Sequence, residues 1–274
     1  MIQVPHYCQI PHPFAYPEGN SIPFEQWLFN TFKPEDETER QFLPIFWTGG
    51  YVAHKYGLDL YYIKLLQSFL DTLDKKTKMY TVVQYDDGIL NDISGLDIKV
   101  YAMSGPRVDY ALPLLCHPHP YTFPDVKTIF CSFVGRLTHP VRGKIVNELS
   151  NKPGYYISWQ KHSTYEYCRI LAASKFVLCP RGYGWNSFRI AEALQYGAMP
   201  VIISDEYIVP HPGNPIDDFV AVNIPELSIC IIDDVIRLID DKGQYSAEVC
   251  KMAYSKYFTF EANKKLIIQD LGNE

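Results

Sequence analysis

Residues 175–203 constrain the fold more than any other stretch of the chain. Lys175-Phe-Val-Leu-Cys179 is an apolar run, Arg181-Gly-Tyr-Gly-Trp-Asn-Ser187 a glycine-bearing loop, Phe188 to Tyr196 a helical segment, and Met199-Pro-Val-Ile-Ile203 a second apolar run. Strand, loop, helix and strand within about 30 residues is the length of one βαβ crossover, whose hand is almost always right. Two strands joined this way lie parallel, so the α/β class follows.

The neighbouring sequence repeats the theme. Thr128 to Val134 reads as a strand closed by Gly135, followed by a helix over about 140–150 and a strand over Gly154 to Trp159. Ser163-Thr-Tyr-Glu166 is a capping box, which predicts a helix from there to about Ala173. Upstream, Met79 to Gln84 and Ile98 to Met103 predict two more strands. Leu58, Tyr61, Tyr62, Leu65, Leu66, Phe69 and Leu73 recur at spacings of three and four, which predicts an amphipathic helix over about 58–74. The first 45 residues are rich in Pro and aromatics without periodicity and read as an irregular cover. Residues 113–125, with Cys116-His-Pro-His-Pro120, read as a boundary loop. The expected layout is a Rossmann-like domain over 1–125, a second over 126–255, and a C-terminal segment, 256–274, whose helix from about Phe260 to Leu271 packs back on the first domain.

Composition excludes several classes. With 47% apolar and 20% charged residues in 274, the chain can bury a large core. A net charge of −6 and the lack of any basic run interleaved with aromatics argue against nucleic acid as a partner. No run approaches the roughly 18 apolar residues of a membrane span, and Met1 to Tyr16 lacks a signal-peptide pattern, so a cytoplasmic protein is expected. Seven cysteines, an odd number scattered through apolar runs, read as reduced small hydrophobes. The 21 tyrosines suit either a Tyr-rich core or sugar stacking.

Chemistry is expected where a parallel strand ends. The loop Pro180 to Ser187 sits at a carboxyl end and feeds a helix, so its glycines allow close backbone approach and its N–H groups face an anion. Arg181 and Arg189 add phosphate donors, and a diphosphate fits. Glu192, about a turn into the helix beyond Phe188, either accepts from the cis hydroxyls of a ribose or is a solvated helix residue.

The stretch from Phe176 to Pro210 resembles the signature of the exostosin-like glycosyltransferases, family 47. It has a Pro-Arg-Gly loop, a Ser-x-Arg helix start, Glu-Ala-Leu in mid-helix, a Pro-Val strand and a Ser-Asp-x-Tyr-x-x-Pro exit. Phe130 to Arg142 is similar to the family's Phe-x-Gly-x₆-Arg element, and Tyr85-Asp86-Asp87-Gly88 is a fainter match to its His-Asp strand end. Together the good matches cover about residues 126–225. The resemblance implies a GT-B fold, with two parallel sheets facing across a cleft, inversion at the anomeric carbon, a UDP-sugar donor and no obligatory metal or other cofactor. By position it implies that Glu192 holds the ribose, that Asn186, Ser187 and the helix start hold the diphosphate, and that Arg136, Arg142 and Arg181 offset its charge beside Gly135. With neither a membrane anchor nor a second transferase domain, the chain resembles the compact members of large algal viruses, some of which look like xylosyltransferases. UDP-xylose is then the favoured donor, an oligosaccharide the acceptor, host cytoplasm the compartment, and a homodimer an open assembly.

Inverting transfer needs a base for the acceptor hydroxyl, and Asp87 or Asp86, at a strand end of the first domain, is the expected one. Its rival is ordinary turn chemistry. Asp205 and Glu206 either touch donor or acceptor hydroxyls or cap the next turn. Cys116, His117 and His119 invite a zinc reading, yet alternating prolines stiffen them and no second pair of ligands stands nearby, which favours a boundary loop. Trp159 and Trp185 offer indoles for uracil or sugar, with core packing the simpler reading of Trp159. The competing functions are a non-catalytic glycan- or nucleotide-binding module of the same fold and a phosphate-ester hydrolase, for which Ser187 lacks a His partner in sequence.

Overall fold

The computed structural model describes residues 1–14, 16–17, 21–211 and 222–273, and the chain divides into two compact units. Unit one holds Met1–His117, a short return at Pro210, and everything from Thr259 on; unit two holds the rest. Part of the stretch of family resemblance, residues 212–221, lies outside the described residues.

Unit one contains α1 (Phe24–Thr31), β1 (Gln41–Phe42), α2 (Trp47–Ala53), α3 (Leu60–Leu70), β2 (Met79–Val83), β3 (Ile98–Ala102) and β4 (Tyr110–Ala111). Its sheet runs β1-β2-β3-β4, every pair parallel, with Met79 opposite Ile98 and Val83 opposite Ala102. Every residue of β2 is buried, as expected of a parallel strand covered on both faces. The core is built on Trp47, Tyr51, Tyr62, Leu66, Val83 and Val100, and the buried Trp47 Nε1 donates to Thr81 Oγ1 at 2.9 Å.

Two expectations are corrected here. The first 45 residues are not all irregular, because Phe24 and Leu28, one turn apart, bury one side of α1, whose entry Pro23 fixes without needing an N–H there. The helix expected over 58–74 runs only from Leu60 to Leu70. Asp59 caps it, accepting from Tyr61 N at 3.0 Å, and its buried stripe is Tyr62, Leu66 and Leu70. Tyr61 lies about 100° around the helix from Tyr62 and Leu58 precedes the cap, so both leave the core.

Unit two contains β5 (Ile129–Val134), α4 (Pro140–Leu149), β6 (Tyr155–Ser158), α5 (Thr164–Ala173), β7 (Ser174–Pro180), α6 (Arg189–Gln195), β8 (Met199–Ile203), β9 (Val222–Ile224), α7 (Ile232–Asp241) and α8 (Ala247–Tyr257). The expected capping box is present. Ser163 Oγ accepts from Glu166 N at 3.2 Å, and Glu166 Oε2 accepts from Ser163 N at 3.2 Å. The sheet order is β6-β5-β7-β8-β9, again all parallel, with Cys131 opposite Tyr155 on one side and Phe176 on the other. The α/β class and the two parallel sheets are both present.

The last helix, α9 (Phe260–Gly272), belongs to unit one. Phe260 packs on Phe24 with ring centroids 5.3 Å apart, and Lys264 Nζ pairs with Asp36 at 2.6 Å. Many tyrosines are structural: Tyr51, Tyr62, Tyr80 and Tyr101 are each at most 2% exposed.

Candidate functional site

In unit two the chain enters at β5, crosses to β6 on one flank, then returns to β7 on the other. The winding reverses at β5, so the carboxyl ends of β5 and β7 flank the crevice where an open parallel sheet binds its ligand. Gly135 follows β5 there, donating its N–H to Ser158 O, at the end of β6, at 3.0 Å. A Cβ at this position would stand 2.5 Å from Nη2 of Arg189, so any other residue requires the guanidinium to shift. Arg189 Nη2 donates to Val134 O at 2.8 Å, and the group sits 5.2 Å from the Phe133 ring centroid.

Arg142, on the first turn of α4, is buried, and all three of its nitrogens donate to main-chain carbonyls. Nε reaches Arg181 O at 2.9 Å, Nη1 reaches Arg136 O at 3.0 Å and Nη2 reaches Pro180 O at 3.3 Å. Arg142 therefore ties the loop after β5 to the end of β7 and the loop that follows it. Burial, then the positive charge of Arg189, pulls its pKa down to about 10, which leaves it charged at neutral pH.

The arginines that face outward are Arg136 and Arg181. Arg136 is exposed and makes no ion pair among the described residues. Arg181 Nη2 donates to Tyr183 O at 3.1 Å, Nη1 lies 3.6 Å from Glu226 and 4.0 Å from Glu206, and Nε is buried with no hydrogen-bond partner among the described residues. A buried donor without an acceptor is costly and points to a ligand or water. Asn186 and Ser187 are both buried, and Ser187 Oγ accepts from Arg189 N at 3.3 Å as α6 begins.

Glu192 is not a solvated helix residue, for it is 1% exposed. Its Oε1 is 2.8 Å from His119 Nε2 and its Oε2 accepts from Tyr167 Oη at 2.6 Å. Burial opposes the His119 imidazolium, but the adjoining Cys168 and the Glu192 carboxylate outweigh it and lift its pKa to about 9. The carboxyl group thus favours the charged form of the histidine, and both lie enclosed within unit two. Gln195 holds the histidine's main chain at both polar atoms, accepting from His119 N at 3.1 Å and donating to His119 O at 2.8 Å.

The remaining candidates scatter. Asp205 Oδ1 accepts from Glu226 N at 2.8 Å, so it joins the exits of β8 and β9. Trp159 is 50% exposed, which overturns the core-packing reading. Trp185 is half-buried. Cys116 is buried and His117 stands 4.6 Å from the Phe260 ring centroid, while His119 turns to Glu192. In unit one, Asp86 and Asp87 occupy the turn after β2, closed by Gly88 N to Tyr85 O at 2.9 Å. Asp87 is exposed, and Asp86 O accepts from Ser104 Oγ at 2.7 Å.

Sequence reasoning passed over three groups. Glu226 bridges Arg181 and His139 at 3.6 and 3.9 Å, Tyr167 completes the Glu192 site, and Glu25 lies buried beside the end of β2. Glu25 accepts from Gln84 N at 2.7 Å, Thr48 Oγ1 at 2.6 Å and Thr48 N at 3.0 Å, and burial pushes its pKa up to about 7. Only Glu25 left a signal, as the lone charge on the apolar side of α1.

Known proteins share this arrangement of sequence. An exostosin homologue of Caenorhabditis elegans, "Exostosin-1 homolog", is 27% identical over 202 residues, covering 54% of this chain and 53% of its own. A probable glucuronosyltransferase of Oryza sativa subsp. japonica is 31% identical over 112 residues, covering 38% and 25%. The probable beta-1,4-xylosyltransferase IRX10 of Arabidopsis thaliana is 33% identical over 98 residues, covering 34% and 23%. The chain thus spans about half the length of the nematode relative and about a quarter of the plant ones. The model of the exostosin GT47 domain matches residues 91–229, half of the chain. By that match, the chain belongs to the exostosin GT47 family.

Proposed function

We propose that the chain moves a sugar from a UDP-sugar, UDP-xylose first among the donors, to a glycan hydroxyl with inversion at the anomeric carbon. The observation that carries this reading is the pair Arg136 and Arg181 at the winding reversal, one exposed and the other with a buried, unmatched Nε, both loops tied by Arg142. A diphosphate there meets guanidinium donors and the main-chain N–H groups around Gly135 and residues 182–187, with Asn186 and Ser187 beside it. A ribose hydroxyl reaches Glu192 by replacing the Tyr167 bond to Oε2. Trp159, next to the Ser158 carbonyl that accepts from Gly135, is placed to stack on uracil.

In the chemical step the acceptor oxygen attacks the anomeric carbon while its proton passes to Asp87, or to Asp86. The bond from that carbon to the UDP oxygen breaks, and UDP leaves with the electron pair. Arginines offset the developing charge, so this reading needs no metal. The names of the plant relatives, a xylosyltransferase and a glucuronosyltransferase, support UDP-xylose and UDP-glucuronate as the first donors to try.

Incubation with each donor and an oligosaccharide acceptor should release UDP, unaffected by a chelator, with an inverted linkage in the product. A chain that binds no UDP in calorimetry removes the reading. Asp87→Asn should lower kcat by about 10²–10⁴-fold with UDP affinity intact, and turnover within a few-fold of wild type takes Asp87 out of the role of base.

A further inference from the structure

Unit one carries an exposed apolar surface over residues 56–61. Tyr56, Leu58, Leu60 and Tyr61 are 61%, 79%, 68% and 75% exposed, and Leu90 is 40% exposed. Large apolar side chains exposed together, four of them within six residues, mark an interaction site on a protein surface. The backbone beneath it is held in an unfavourable shape. Lys55 and Tyr56 both have φ of 56°, in the left-handed region that residues with a Cβ avoid, and Gly57 follows at 77°. A Cβ on Gly57 would stand 2.2 Å from Cδ1 of Leu90, so the turn closes on that leucine.

The turn is braced from behind. His54 stacks on Tyr62 with ring centroids 4.1 Å apart and planes 3° from parallel, and its Nδ1 lies 3.0 Å from Asp59, the cap of α3. Tyr85 Oη donates to Tyr56 O at 3.0 Å. Strain that neighbours fix in this way is characteristic of functional surfaces. The apolar side chains stand on a rigid mount.

Charge selects the occupant. Lys55 and Lys64 are exposed beside these side chains and make no ion pair among the described residues, while Asp59 is engaged by His54. Lys64 lies one turn beyond Leu60 on the same side of α3. Two leucines among the four outermost groups carry no hydrogen-bonding atom, which suits a sugar poorly. A twofold pairing of this surface with a second copy would bring the same lysines together. Aliphatic tips, flanking tyrosines and cations are together what a lipid–water interface accepts.

We propose that the 56–61 surface docks this protein on a membrane containing anionic lipid, with Leu58 and Leu60 entering the headgroup boundary and Lys55 and Lys64 meeting lipid phosphate. The test is co-sedimentation of the full chain with vesicles of phosphatidylcholine alone and of phosphatidylcholine with phosphatidylserine. Wild type should pellet with the anionic vesicles and be released by salt. The double variant Lys55→Gln, Lys64→Gln should bind about 30-fold more weakly, the loss of two lysine–lipid attractions. Leu58→Ser with Leu60→Ser should weaken binding at least about tenfold, with an unchanged circular-dichroism spectrum. Wild type that stays in the supernatant with both vesicles overturns the proposal, as do variants of both kinds that pellet like wild type. Light scattering that finds a dimer, dispersed by the leucine substitutions, overturns it in favour of a self-interface.

Discussion

Replacing Glu192 by Gln should destabilise the chain by an amount that depends on pH in a specific way. The His119 pKa lies near 9 in the folded protein against 6.5 for an ordinary histidine. The folded state therefore holds this proton more tightly than the unfolded one, so the stabilisation is complete below pH 6.5 and disappears as pH rises through 9. Worked from those two values, the bound proton is worth about 3 kcal/mol at pH 6 and under about 1 kcal/mol at pH 9, shared between the Cys168 contact and the Glu192 carboxylate. Glutamine keeps the volume and can still accept from Tyr167, but it removes the charge that holds the imidazolium. Urea unfolding of wild type and Glu192→Gln at these two pH values measures the difference directly. A loss of stability that stays constant from pH 6 to pH 9 would refute the charged pair. His119→Gln should show a dependence at least as steep, because it removes the Cys168 contact together with the Glu192 one.

Gly135→Ala sets a Cβ 2.5 Å from Nη2 of Arg189 and should displace that guanidinium. Stability should fall by about 1–3 kcal/mol and kcat/KM by about a hundredfold; wild-type kinetics with an intact fold would mean the close approach is unimportant. Glu25→Gln probes the opposite case, a buried acid whose pKa near 7 exceeds its ordinary 4.5. Wild type loses about 3 kcal/mol of stability between pH 4.5 and 7 as this proton leaves, the variant does not, and parallel stability curves for the two would contradict it.

Much of unit two could be read from residues alone, for a physical reason. Parallel strands covered on both faces are written as uninterrupted apolar runs, and Phe176 to Cys179 and Val201 to Ile203 are such runs. A capping box such as Ser163 to Glu166 is local by nature. The two-residue β1 has no periodicity to detect, and α1 hides its period among prolines and aromatics. In α3 the spacing pointed correctly to a helix, yet Leu58 and Tyr61 satisfied the same spacing without facing the core. Roles were harder than positions. An arginine that grips phosphate and one that ties carbonyls look identical in sequence, and only the three acceptors around Arg142 separate them. His119 and Glu192 stand 73 residues apart, beyond the reach of any local pattern.

The reversal of winding at β5 has an evolutionary consequence. Residues from α4 to α5 form a detour that departs from one rim of the crevice, the end of β5, and comes back through β7, whose end is the other rim, and Arg142 fastens the two rims together. A detour anchored at both ends can grow or shrink along its far side, as at the exposed 151–153 bend, without moving the rims. Lineages of such proteins are therefore free to elaborate this flank into new recognition elements while the chemistry beneath it stays still.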